Sequence, residues 1–113
     1  MSTTADAFDC VLIDDDELVR LMWRLAAEGV GKRLLVLAQS ADFWARSSHL
    51  SPSVPIYVDY NLPPHLAGDA FARQLAAAGF TNIYFQTGHD VASISTLTRP
   101  WLKGVIGKEP PWL

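Results

Sequence analysis

Apolar and polar positions alternate in blocks along the chain. The segment Phe8 to Ile13 is predominantly apolar and ends abruptly at Asp14, Asp15, Asp16 and Glu17, the pattern of a buried strand followed by an acidic helix start. Leu18, Leu21, Met22 and Leu25 then recur at helical spacing, which predicts a first helix with that stripe against the core and a stop at Gly29. Leu34 to Ala38 reads as a second strand, and Ser40 is placed to cap a short helix running through Arg46. Val54 to Val58 makes a third strand, bounded by Pro52 and Pro55 before it and by Asp59 after it.

The second half repeats the rhythm. Pro63 and Pro64 mark a loop, after which Ala67, Phe71, Leu75 and Ala78 form a helix stripe that ends at Gly79. Ile83 to Gln86 is a fourth strand. Val91, Ile94 and Leu97 predict a weaker fourth helix, rich in Ser and Thr, which are poor formers in a helix interior. Gly104 to Gly107 is a short fifth strand. Strands alternating with helices at this spacing imply right-handed crossovers, so the expected fold is α/β, with a five-stranded parallel sheet and helices on both faces.

Composition bounds this picture. The 113 residues leave room for one domain and one core, so residues 1–113 are read as a single unit. Hydrophobic residues make up 50% and charged residues 19%, with four Trp, more apolar surface than a small domain obviously needs. The net charge of −3, with Lys and Arg scattered singly, argues against nucleic acid as a direct ligand. No apolar run approaches the roughly 18 residues of a membrane span, and the start, Met1 to Asp6, lacks the blocks of a signal peptide. A lone Cys10 among apolar neighbours reads as a buried small residue in a reduced compartment, so a cytoplasmic location is expected.

In open parallel sheets, ligands bind at the carboxyl ends of the strands. Those ends carry Asp14, Asp15 and Asp16 after the first strand, Asp59 after the third, Thr87 after the fourth and Lys108 after the fifth. Clustered carboxylates repel unless a cation joins them, and hard oxygen ligands suit Mg²⁺. A Mg²⁺ site with a spare carboxylate, a lysine and a hydroxyl has the parts that phosphoryl transfer needs. Taken singly, each residue has a plainer reading: Asp59 as a loop cap, Asp16 as the cap of the first helix, Lys108 as a solvated lysine. His49 and His65 read as surface residues, and the Trp residues as core or interface anchors.

Four motifs in order, VLIDDDELVR (11 to 20), IYVDYNLP (56 to 63), IYFQTGHD (83 to 90) and VIGK (105 to 108), resemble the receiver domains of bacterial two-component response regulators. The resemblance spans about Phe8 to Lys108, and the intervals of 45 residues from Asp14 to Asp59, 28 from Asp59 to Thr87 and 21 from Thr87 to Lys108 fit that family. It implies a flavodoxin-like, CheY-like, doubly wound sheet of order 2-1-3-4-5. It also implies that Asp59 accepts a phosphoryl group from a histidine kinase or histidine phosphotransfer protein in a Mg²⁺-dependent step. Asp15 would then ligate the metal directly and Asp14 through water, with the Asn61 carbonyl completing a metal set of Asp14, Asp15, Asp59 and Asn61. Thr87 and Lys108 would each contact a phosphoryl oxygen, and the Asn61 side chain and His89 would tune hydrolysis. Such a protein is a phosphoacceptor with at most slow self-dephosphorylation rather than an enzyme.

Three features depart from the family. Glu109 stands where a proline, often preceded by a cis bond, usually follows the lysine; without it the loop is expected to be trans or reshaped. Val105 replaces the usual switch aromatic. Only five residues follow Lys108, so the fifth helix is expected to be missing, leaving an apolar sheet face beside the first helix. Trp112 and Leu113 could fold over part of that face, or a second copy could cover it in a homodimer. Two alternatives stay open: a receiver-like interaction module that works without phosphate, and a phosphatase of the haloacid dehalogenase type using Asp14 and Asp16. The latter leaves Asp59 unexplained.

Overall fold

At the centre of the sheet the apolar runs are buried on both faces, which is why they show no polar alternation, and all of the runs fold as strands. In the computed structural model, which describes residues 8–62, 68–88 and 90–113, these are β1 (Cys10–Ile13), β2 (Leu34–Leu37), β3 (Ile56–Asp59), β4 (Ile83–Gln86) and β5 (Leu102–Ile106). They form one sheet in the order β2-β1-β3-β4-β5, and every neighbouring pair is parallel. This is the expected doubly wound order. Helices α1 (Glu17–Gly29), α2 (Ser40–Arg46) and α3 (Gly68–Ala77) supply the crossovers. Pro63, Pro64, His65, Ala67 and His89 lie outside the described residues.

Successive strand residues point to opposite faces, so the sheet sorts its side chains into two cores. On one face Val11, Ile13, Ile56, Val58, Ile83 and Phe85 pack with Phe43 of α2 and Phe71, Ala72 and Leu75 of α3. On the other, Cys10, Leu12 and Tyr57 pack with Trp23 of α1, bordered by Tyr84, Ile106 and Trp112. Trp23 is completely buried, in contact with Tyr57 on one side and, edge-on at 5.4 Å between ring centroids, with Trp112 on the other. Trp112 therefore does fold back beside α1, where its indole N–H donates to the Ala26 carbonyl. Leu113 does not join it and is exposed.

The inward stripe of α1 differs from the expected one. Leu18, Leu21 and Leu25 are exposed, at 74%, 46% and 59%, while Trp23 and Ala27 are buried and Val19 and Met22 pack against the sheet core. Residues 19, 22, 23, 26 and 27 form an equally regular helical stripe, and Trp23 has the larger apolar surface to bury. Part of the apolar surplus thus lies on the outer side of α1. Asp16 caps this helix as expected, its Oδ1 accepting the Leu18 N–H at 2.9 Å. Ser40 is the first residue of α2 rather than its cap, and Gln39 in that place makes no side-chain capping bond.

The expected fourth helix is absent. Val91–Ser93 makes a single 3₁₀ turn and the chain then bends to Pro100, with Val91 and Leu97 exposed and only Ile94 reaching the core. The apolar stripe is too sparse to hold a helix against its Ser and Thr content. Arg99 fastens the segment instead, pairing with Asp69 of α3 at 3.0 Å and lying over the ring of Phe85. No helix follows β5 among the described residues. At the central strand, α3 begins so close to β3 that a Cβ on Gly68 would stand 2.3 Å from the Asp59 carbonyl oxygen, so only glycine fits there.

Candidate functional site

The face that holds Trp23 ends in polar groups. Two residues beyond Leu12, Tyr57, Tyr84 and Ile106 on their strands stand Asp14, Asp59, Gln86 and Lys108, carried to one rim by the period-two alternation. Lys108 gathers the other three. Its Nζ donates to Asp14 Oδ2 at 2.8 Å and to Gln86 Oε1 at 2.8 Å, and lies 3.1 Å from Asp59 Oδ1. Three acceptors face the three protons of the ammonium.

The two carboxylates are held from another side as well. Asp14 is fully buried; its Oδ1 accepts the Asp16 N–H at 2.9 Å, and its carbonyl accepts from Arg20. Asp59 is 4% exposed, and its Oδ1 also accepts the Asn61 N–H at 3.0 Å. The backbone of Lys108 is pinned as well, because the Trp23 indole N–H donates to its carbonyl at 2.7 Å. Asp15 is exposed at the mouth. Together Asp14, Asp15, Asp16, Asp59, Asn61, Gly88 and Lys108 line an open cleft of about 460 Å³.

The charges here are out of their ordinary balance. Burial, then the neighbouring Asp14 charge, pushes the Asp59 carboxyl above its usual range, and Lys108 and the Asn61 N–H only partly offset this. Burial would lower Lys108, but the hydrogen bond and charge of Asp14, followed by those of Asp59, outweigh it and raise the ammonium. The ligand oxygens of Asp14, Asp15 and Asp59 all lie within 4.8 Å of one another. Four acidic side chains against one ammonium line the cleft, and the hard oxygens of the three clustered ones fit a divalent cation of the Mg²⁺ type.

Thr87, the residue after β4, is buried, with its N–H donating to the Ile106 carbonyl at 3.0 Å; Gly88 beside it lines the cleft. The structure therefore gathers Asp14, Asp15, Asp59, Asn61 and Lys108 around one cleft and sets Thr87 just behind it. Two residues of this site were not anticipated. Gln86 is fully buried yet polar, and the sequence signal was its place in an otherwise apolar strand directly before Thr87. Trp23 reaches Lys108 across 85 residues of chain, and no local pattern announces that.

No family model and no curated protein matches the chain. Among solved structures, the N-terminal domain of a response regulator/sensory box/GGDEF three-domain protein from Carboxydothermus hydrogenoformans superimposes with a TM-score of 0.71 at 16% identity, over 89% of this chain and 82% of that one. The chain has the receiver fold. The response regulator StyR is similar too, with a TM-score of 0.69 and 21% identity over 89% of this chain; the match spans about half of StyR, 52%. Within the receiver fold, Asp14, Asp15, Asp59, Thr87 and Lys108 occupy the carboxyl-end rim of the sheet. Across the described residues no helix is long and apolar enough to cross a membrane.

Proposed function

We propose that this chain is a phosphoacceptor receiver of a two-component or phosphorelay system, in which Asp59 takes a phosphoryl group from a histidine kinase or histidine phosphotransfer protein. The observation that carries the reading is the Lys108 ammonium held between Asp14 and Asp59 at the mouth of an anionic cleft. In the transfer, a carboxylate oxygen of Asp59 forms a bond to phosphorus as the phosphorus–nitrogen bond of the donor phosphohistidine breaks; the donor ring carries a proton on its other nitrogen, so the leaving nitrogen takes the bonding pair and the imidazole departs neutral. A Mg²⁺ ion held by Asp15 and Asp59, with Asp14 and the Asn61 carbonyl in support, would neutralise phosphoryl charge. Asp14 has both carboxylate oxygens engaged, to Asp16 and Lys108, which supports the indirect role for it and the direct one for Asp15.

The chain's own residues account for the rest. The Asn61 N–H and Lys108 fix one oxygen of Asp59, and Lys108 is near enough to follow charge onto the phosphoryl oxygens. Thr87, just behind Gly88, is the hydroxyl proposed to reach the remaining oxygen. The protein then signals through protein contacts in the cytoplasm and turns over no substrate beyond slow loss of its own phosphoryl group. The phosphatase alternative asks Asp16 to work as an acid, whereas its carboxylate caps α1.

A second reading has an observation of its own. The exposed Leu18, Leu21 and Leu25 on α1 suit a module that docks or self-associates irrespective of phosphate. Beryllofluoride, a phosphoryl mimic, separates the two. With Mg²⁺, fluorine NMR of the wild type should show a bound signal that Asp59→Asn lacks; no Asp59-dependent signal would favour the docking module.

A further inference from the structure

We propose that Gln86 is a positioning residue, a neutral tether that holds the Lys108 ammonium at the cleft while the carboxylates around it change charge. The effect on phosphoryl transfer rests on the function proposed above; the tether itself does not.

Gln86 is completely buried at the end of β4, and its Oε1 accepts from Lys108 Nζ at 2.8 Å. Among the described residues its buried Nε2 has no hydrogen-bond partner. The amide cannot be turned over to cure this, because an ammonium only donates and would then face an NH₂ group. A buried amide N–H without a partner costs stability, and an apolar side chain of the same size would avoid that cost. Gln86 is therefore a poor choice for the core and is explained by what Oε1 does. The other two acceptors of Lys108 are Asp14 and Asp59, carboxylates of the cleft whose charge is altered by a bound cation or a phosphoryl group. Gln86 alone of the three keeps the same acceptor in every state. Without it, both remaining partners pull the ammonium toward the acidic side of the cleft.

Gln86→Leu, with Gln86→Met as a second apolar variant, tests this in three ways. Melting temperature should equal or exceed that of the wild type. Labelling with an amine-reactive acylating reagent, read by mass spectrometry, should rise several-fold at Lys108 while Lys32 and Lys103 stay unchanged, whatever the protein does with phosphate. With acetyl phosphate and Mg²⁺, phosphorylation of the variants should slow about tenfold, as expected when a catalytic group is displaced. Unchanged Lys108 labelling would overturn the tether, as would failure of both variants to fold, which would make Gln86 a support of the core. If the wild type takes no phosphoryl group, the functional reading falls, and the labelling contrast still decides the tether.

Discussion

The two faces of the sheet are built on different plans. Among the described residues, the face under α2 and α3 holds seventeen buried apolar residues, whereas the face under α1 has a core of four, eked out by half-buried side chains, Trp112 among them. The first is bound chiefly by dispersion and burial, with the Arg99–Asp69 ion pair at its border. The second ends in Asp14, Asp59, Gln86 and Lys108, so β1, β3, β4 and β5 each deliver a polar group to the cleft, and of the strands that build this face only β2 does not. Stability and function are thus divided between the faces, and the thin one pins the lysine through Trp23. A face committed to polar groups at its rim has less area to seal, which fits its reliance on two tryptophans.

The sharpest break comes on the broad face. Phe43, fully buried among Phe71, Phe80 and Trp44, should cost about 3–5 kcal/mol when changed to Ala, measured by urea unfolding. Folded variant protein should still bind beryllofluoride, and a loss of binding would show that the faces are not separable. On the thin face, Trp23→Phe keeps an aromatic ring and removes the N–H to the Lys108 carbonyl. Its expected cost is smaller, about 1–3 kcal/mol, and beryllofluoride binding should weaken along with it. Unaltered binding would separate Trp23 from the site.

Smaller still is Trp112→Ala, which removes a half-buried ring stacked edge-on against Trp23 and covered by Lys32. A loss of about 1–2 kcal/mol is expected, together with a change in self-association or solubility seen by light scattering. Unchanged mass and solubility would count against a covering role. The least effect should come from Asp69, whose carboxyl is held below its ordinary value of 3.8 chiefly by the Arg99 hydrogen bond. That pair stabilises fully above the ordinary value and is lost as pH falls through the lower folded one. Asp69→Asn should therefore flatten the acid limb of the stability curve, and superimposable limbs would show that Arg99 does not fasten the segment after β4.

Much of this was legible in the sequence, for identifiable reasons. Strands covered on both faces read as apolar runs, and the acids at their ends stood out against them, so Asp14, Asp15 and Asp59 could be placed at one rim before any contact was known. The inward side of α1 was not legible, because two stripes share Met22 and only the packed sheet decides between Leu21 and Trp23. The segment after β4 failed as a helix because an ion pair from Arg99 to Asp69, 30 residues away, does the fastening that helical periodicity would otherwise report. Gln86 escaped notice since its partner, Lys108, lies on another strand's end.

The central claim is that the thin face exists to present Asp59 as a phosphoryl acceptor. Its most direct test is intact-mass spectrometry after incubation with acetyl phosphate and Mg²⁺, with fragment mapping of any adduct. The account predicts one phosphoryl mass on Asp59, dependent on Mg²⁺ and absent from Asp59→Asn; no adduct, or one that survives the substitution, would contradict it.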